Sequence, residues 1–138
     1  MTTKDAKAYL MQYRESLERA DEIEQHLHEL KAEAIRLKDH EGRSVALDGA
    51  VQKYVDACNN SVSELNRLAA LRAEIIGTID AVKDDRLRNI LRRRYILGQK
   101  WEQIAVSLML EYRWVLRLHG RALTAVSKTI TTISKTDH

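Results

Sequence analysis

The chain has 138 residues, no Pro, no Phe and five Gly, with 31% charged and 44% hydrophobic side chains; this length holds one compact domain, or a small domain with a long appendage, and excludes a large multidomain enzyme. Little interrupts a helix and little suits an aromatic-rich β-sandwich, while the plentiful, periodically spaced apolar residues exclude a collagenous or disordered chain. The net charge of +3 conceals a division, since residues 1–85 carry 12 basic and 17 acidic side chains and residues 86–121 carry 9 basic and 2 acidic, the pattern of an acidic scaffold joined to a basic reader of an anionic polymer.

Between residues 4 and 39, Leu10, Tyr13, Leu17, Ala20, Leu27, Leu30, Ala34 and Leu37 recur mostly in steps of three and four, which predicts an amphipathic helix. At 1.5 Å per residue it would be about 50 Å long, more than a small core covers, so it needs a partner helix. Gly42 is placed to end it, and Ser44 or Asp48 to cap the next. The second stripe is Val51, Tyr54, Cys58, Val62, Leu65, Leu68, Ile75, Ile79 and Val82. Two such helices fold back as an antiparallel hairpin, although pairing with another chain buries the same stripes. Gly49 and Gly77 are expected to mark a kink or a close helix contact.

Asp84 or Asp85 reads as the cap of a third helix that runs to about Leu97 and stops at Gly98. Its apolar positions Leu87, Ile90, Leu91 and Tyr95 leave Arg86, Arg88, Arg92, Arg93 and Arg94 on other faces. A short helix over about residues 100–109 and a longer one over about 111–130 follow, with a Thr-rich tail from Thr131 expected to fray. The fold expected is all-α: a coiled-coil-like hairpin over residues 1–83, where self-association is placed, and a helix-turn-helix module over residues 84–138.

Two helices that cross steeply touch through a small residue with apolar neighbours. Ala105, flanked by Ile104 and Leu108, fits the first helix, and Leu110, Val115 and Leu118 supply the surface facing it. Met109 and Leu110 fall in the turn, where Gly is usual; a non-Gly residue there costs on the order of 1 kcal/mol. With Val115 and Leu118 inward, the helical period turns Tyr112, Arg113, Arg117 and Arg121 outward, with Glu111 and Trp114 near the tip. Such a face suits a major groove, where Arg reads guanine with two hydrogen bonds. Arg92, Arg93, Arg94 and Lys100 are phosphate-contact candidates, Gln103 joins the candidate DNA-binding set, and the amides near Lys100 offer a further anion site. Trp101 is expected in the core against Tyr95, Ile96 and Leu97, and His119 either on a phosphate or packed beside Gly120.

The stretches over residues 90–105 and 114–123 resemble phage late-gene transcriptional activators of the RinA/ArpU kind, most specifically in Arg94-Tyr95, Trp101, Ile104-Ala105 and the run from Leu118 to Leu123. The two stretches lie within a span of about 35 residues. It implies a C-terminal part similar to the promoter-reading helix-turn-helix of sigma factors, binding of phage DNA upstream of late or packaging genes, and recognition-helix positions at Tyr112, Arg113, Trp114 and Arg117. Glu111 stands where that family commonly has Ser.

Catalysis has little support: there is no Gly-rich phosphate loop, no Cys/His pair and no metal-ligand spacing, and His26 and His28, two apart on a helix, point to different faces. No cofactor is expected. Without an apolar span or a signal core at the start, and with Cys58 alone, the expectation is a cytoplasmic, nucleoid-associated protein of a bacterial host, with no membrane partner. The expected function is sequence-specific binding of double-stranded DNA to regulate transcription, as a homo-oligomer, with host RNA polymerase as a further candidate partner. Two rivals remain: a small-terminase-like DNA-packaging protein, whose helix-turn-helix usually precedes its oligomerising helices, and a module gripping an acidic protein surface such as RNA polymerase.

Overall fold

The computed structural model describes residues 1–42 and 44–136, of which 41 and 132–136 by backbone alone. The described chain is all-α: α1 (Thr3–Glu41), α2 (Val45–Asp80), α3 (Asp85–Leu91) continued by a π turn (Arg92–Ile96), α4 (Trp101–Leu108) and α5 (Tyr112–Thr136). No strand occurs among the described residues, and no described helix is long and apolar enough to cross a membrane.

The helix ends follow from local chemistry. Gly42 takes φ +65° and its N–H donates to the Lys38 carbonyl at 3.2 Å, a left-handed stop open to a residue without Cβ. Of the two caps expected for α2, Ser44 serves: its Oγ accepts from Leu47 N at 3.1 Å. Asp84, not Asp85, caps α3, with Oδ1 accepting from Arg86 N at 2.9 Å and Leu87 N at 3.3 Å. The single helix expected through Leu97 instead widens into the π turn, where Leu97 N reaches the Arg92 carbonyl at 3.0 Å. Gly98 ends it at φ +70°. A Cβ there would lie 3.0 Å from the Arg14 guanidinium, which itself donates to the Ile96 carbonyl at 3.0 Å. Gly49 and Gly77 mark no close helix contact, having open space on the side a Cβ would occupy. The C-terminal helix also runs past the expected end near Ile130 to Thr136; of the tail expected to fray from Thr131, residues 137–138 lie outside the described residues.

Two compact units divide the chain, one made of Met1–Glu15 with Leu71–His138 and the other of Ser16–Ala70. In the first, Ala6 and Leu10 of α1, Ile75, Ile79 and Val82 of α2, Leu91, Tyr95, and Ala122, Leu123 and Val126 of α5 form one core. The boundary expected between residues 83 and 84 therefore does not match the packing: the two ends of the hairpin share their apolar surface with the C-terminal helices. The Tyr9 hydroxyl meets Glu74 Oε2 at 2.8 Å and Thr78 Oγ1 at 3.2 Å in this unit.

In the second unit Ala20, Ile23 and Leu68 are buried, with Leu27 and Leu65 around them, and Arg19 Nε reaches Glu64 Oε1 at 3.2 Å. Within each unit α1 and α2 thus pair antiparallel and within the chain. Val51 and Val62, expected in the buried stripe, are exposed, as is Leu17. A helix facing a single partner withdraws one stripe, here through Tyr54, Ser61, Leu65 and Leu68, and residues one position aside stay in solvent.

Candidate nucleic-acid interface

The geometry around Ala105 starts with the short helix α4, whose Ile104 and Ala105 are buried. Met109 ends it in the left-handed region at φ 57°, ψ 43°. Leu110 N donates to the Ala105 carbonyl at 3.0 Å and Met109 N to the Val106 carbonyl at 3.1 Å, the two-bond helix stop normally built on Gly. Met109 is the only non-Gly residue with positive φ among the described residues, and the turn expected to be awkward is the strained one. Glu111 precedes α5 and its carbonyl accepts from Val115 N at 3.0 Å. Val115 and Leu118 of α5 are buried in one cluster with Ile104, Ala105 and Ile90, bordered by Trp101, Leu108, Leu110 and Trp114.

That packing leaves Tyr112, Arg113, Arg117 and Arg121 exposed along α5, with Glu111 exposed just before it. Arg113 and Arg117 form no hydrogen bond or ion pair among the described residues. Trp114 is half-buried, and the Arg121 guanidinium lies 5.3 Å from its ring centre; the pair costs Arg121 some freedom but leaves its N–H edges outward.

The arginines before Gly98 are held differently. Arg92 pairs with Asp80. Arg93 Nε donates to Asn89 Oδ1 at 3.0 Å, and its Nη1 lies 3.4 Å from Gln99 Oε1. Arg94 Nη1 donates to the Gln99 carbonyl at 3.0 Å, with its guanidinium 4.6 Å from the Trp101 ring centre. Lys100 and Gln103 are exposed, but Gln103 Oε1 accepts from Lys100 N at 2.8 Å. The anion site expected at the start of α4 is therefore partly filled by the helix's own cap.

No protein-family model, curated protein or solved structure matches the chain.

His119 resolves toward packing. Tyr95 Oη and His119 Nε2 are 2.6 Å apart, and the Trp101 ring centre is 4.4 Å from the imidazole. Trp101 thus rests on α5 and under Arg94, where the sequence placed it against residues 95–97. Burial, then the positive charges of Lys7 and Arg94, lowers the His119 pKa to about 4, so the ring is neutral near pH 7 and brings no cation to the surface. Burial likewise raises Tyr95 to about 12. Gly120 has open space beside it, so close backbone approach is not what holds His119. Neither Arg14 nor Gln99 stood out in the sequence; both act through backbone carbonyls or a turn amide, which leave no periodic trace. Among the described residues no three His, Cys, Asp or Glu side chains gather as a metal would need.

Proposed function

We propose that this chain is a sequence-specific double-stranded DNA-binding regulator of transcription, of the phage or prophage late-gene kind, and that α5 is the helix that enters the major groove. The observation carrying this reading is the pair Arg113 and Arg117, exposed one turn apart on α5 with no partner among the described residues. A guanidinium without a carboxylate keeps its donors for guanine or phosphate. Tyr112 and Trp114 adjoin them, and Arg121 extends the same basic side. A module this small contacts few bases, so useful affinity calls for a dimer or higher assembly of the chain. Contact with host RNA polymerase is part of the same proposal.

Selection of bound fragments from a random duplex pool tests it, followed by competition titrations between about 50 and 200 mM salt. A DNA reader enriches one sequence, loses affinity steeply as salt rises and still prefers the enriched site over random competitor. Recovery of no common sequence would overturn the reading and leave a basic surface for an acidic protein.

A further inference from the structure

We infer that the outer strip of α2 between Val51 and Leu65 is a self-association surface that takes α2 of a second copy of this chain. Val51, Val55 and Val62 are 45%, 43% and 54% exposed. With the half-buried Cys58, and with Leu65, which also borders the hairpin core around Ala20, Ile23 and Leu68 and so closes the strip at one end, they recur in steps of four, three, four and three, the seam period of paired helices. The strip runs beside the face on which Tyr54, Ser61 and Leu68 are withdrawn from solvent. A helix carrying two adjacent seams buries one in its own hairpin and offers the other, as helices of four-helix bundles do.

The borders of the strip name its occupant. Gln52, Tyr54, Asn59, Ser61 and Asn66 lie along it and none is charged, in a chain whose residues are 31% charged. Lys or Glu beside an axis at Cys58, in the place of Asn59, would meet its own image in an antiparallel pair and repel it. Amide and hydroxyl groups both donate and accept, so they complement themselves. The charged residues Lys53 and Asp56 lie outside this border, and Asp56 Oδ1 already accepts from Gln52 Nε2 at 2.8 Å. The strip is also symmetric about its middle: Val55 and Val62 stand on either side of Cys58, and Val51 and Leu65 stand seven residues before and after it. A two-fold axis at Cys58 brings the two thiols together whether the helices run parallel or antiparallel.

The surface stands on exposure, spacing and the uncharged border, and it rests on the DNA-binding reading only for its purpose, the presentation of two α5 helices by one assembly. Sedimentation velocity on the full chain without DNA, over about 1 to 100 μM, reads it directly. The expected result is a dimer whose Kd rises at least about tenfold in Val55→Glu/Val62→Glu, with helical circular dichroism unchanged because both sites are exposed. A short bis-maleimide should link wild-type chains through Cys58 and fail to link the variant. Should the double variant lose helicity, Val51→Ser/Val62→Ser carries the same expectation. A chain that is monomeric throughout, or a dimer undiminished by these variants, overturns the inference. Monomer with sequence-selective duplex binding removes this surface alone; a Cys58-linked dimer that selects no duplex removes the DNA reading alone.

Discussion

Two groups of arginines in this protein look alike in sequence and differ in what they are free to do. Arg92, Arg93 and Arg94 are consecutive and would be picked first as a basic patch, yet each is tied down: to Asp80, to Asn89 and Gln99, and to the Gln99 carbonyl and the Trp101 ring. Arg113 and Arg117 are sparser and belong to a helix with mixed neighbours, yet they are exposed and without a partner among the described residues. Density of positive charge is therefore a poor guide to availability. A guanidinium that already serves a carbonyl and an aromatic face acts on stability, whereas an unpaired one is left for a ligand.

The sharpest way to break this contrast is to destroy the packing that turns α5 outward. Ala105→Arg places a long cation where Ile104, Val115 and Leu118 close, and it should cost about 3 kcal/mol, a fall of about 10 °C in thermal melting. An unchanged melting temperature would mean that the crossing does not depend on a small residue there. Next in size, Arg113→Ala and Arg117→Ala should each weaken binding to the selected duplex by about tenfold or more with melting unmoved. Arg94→Ala should do the reverse, costing about 1 to 2 kcal/mol in urea denaturation and changing duplex affinity by less than about threefold. Equal effects of Arg94 and Arg113 on affinity would erase the distinction.

The smallest effect concerns His119. Its folded pKa of about 4 lies below the ordinary 6.5, so above pH 6.5 the ring is neutral in both states and costs nothing. As pH falls from there toward 4, the unfolded chain takes up a proton that the fold refuses, and stability is lost. Between pH 7 and pH 5 the loss should be about 1 kcal/mol once partial exposure of the ring is allowed for. Urea midpoints at the two pH values, compared with those of His119→Phe, isolate it. If wild type and variant lose the same amount, His119 titrates normally in the fold.

Much of the architecture was legible in the chain. The three-and-four spacing announced every helix, Gly42 and Gly98 announced two stops, and the pattern of Ile104, Ala105, Val115 and Leu118 announced their common cluster, because each of these is a local or periodic consequence of side-chain placement. The outward side of Arg113 and Arg117 followed from the same period. What was not legible depends on contacts distant in sequence. Ser127 Oγ donates to the Met1 carbonyl at 2.9 Å, and Arg14 reaches the loop that ends at Gly98; neither leaves a mark in the intervening residues. The division at residue 83 failed for the same cause, since a change in composition marks where charge shifts and says nothing about which helices share a core.

Taken alone, the order of amino acids determined that the chain is helical, where its helices begin and where the first two end to within a few residues, and that its positive charge is concentrated after residue 85, because propensity, capping and periodicity are properties of near neighbours. Only the tertiary structure decided that residues 1–15 and 71–82 pack with the C-terminal helices, that Arg92, Arg93 and Arg94 are occupied, and that His119 is held neutral beneath Tyr95 and Trp101. Whether a side chain finds a partner depends on what the fold carries up to it from elsewhere in the chain, and burial, which sets both pKa and pairing, exists only once those distant segments have met.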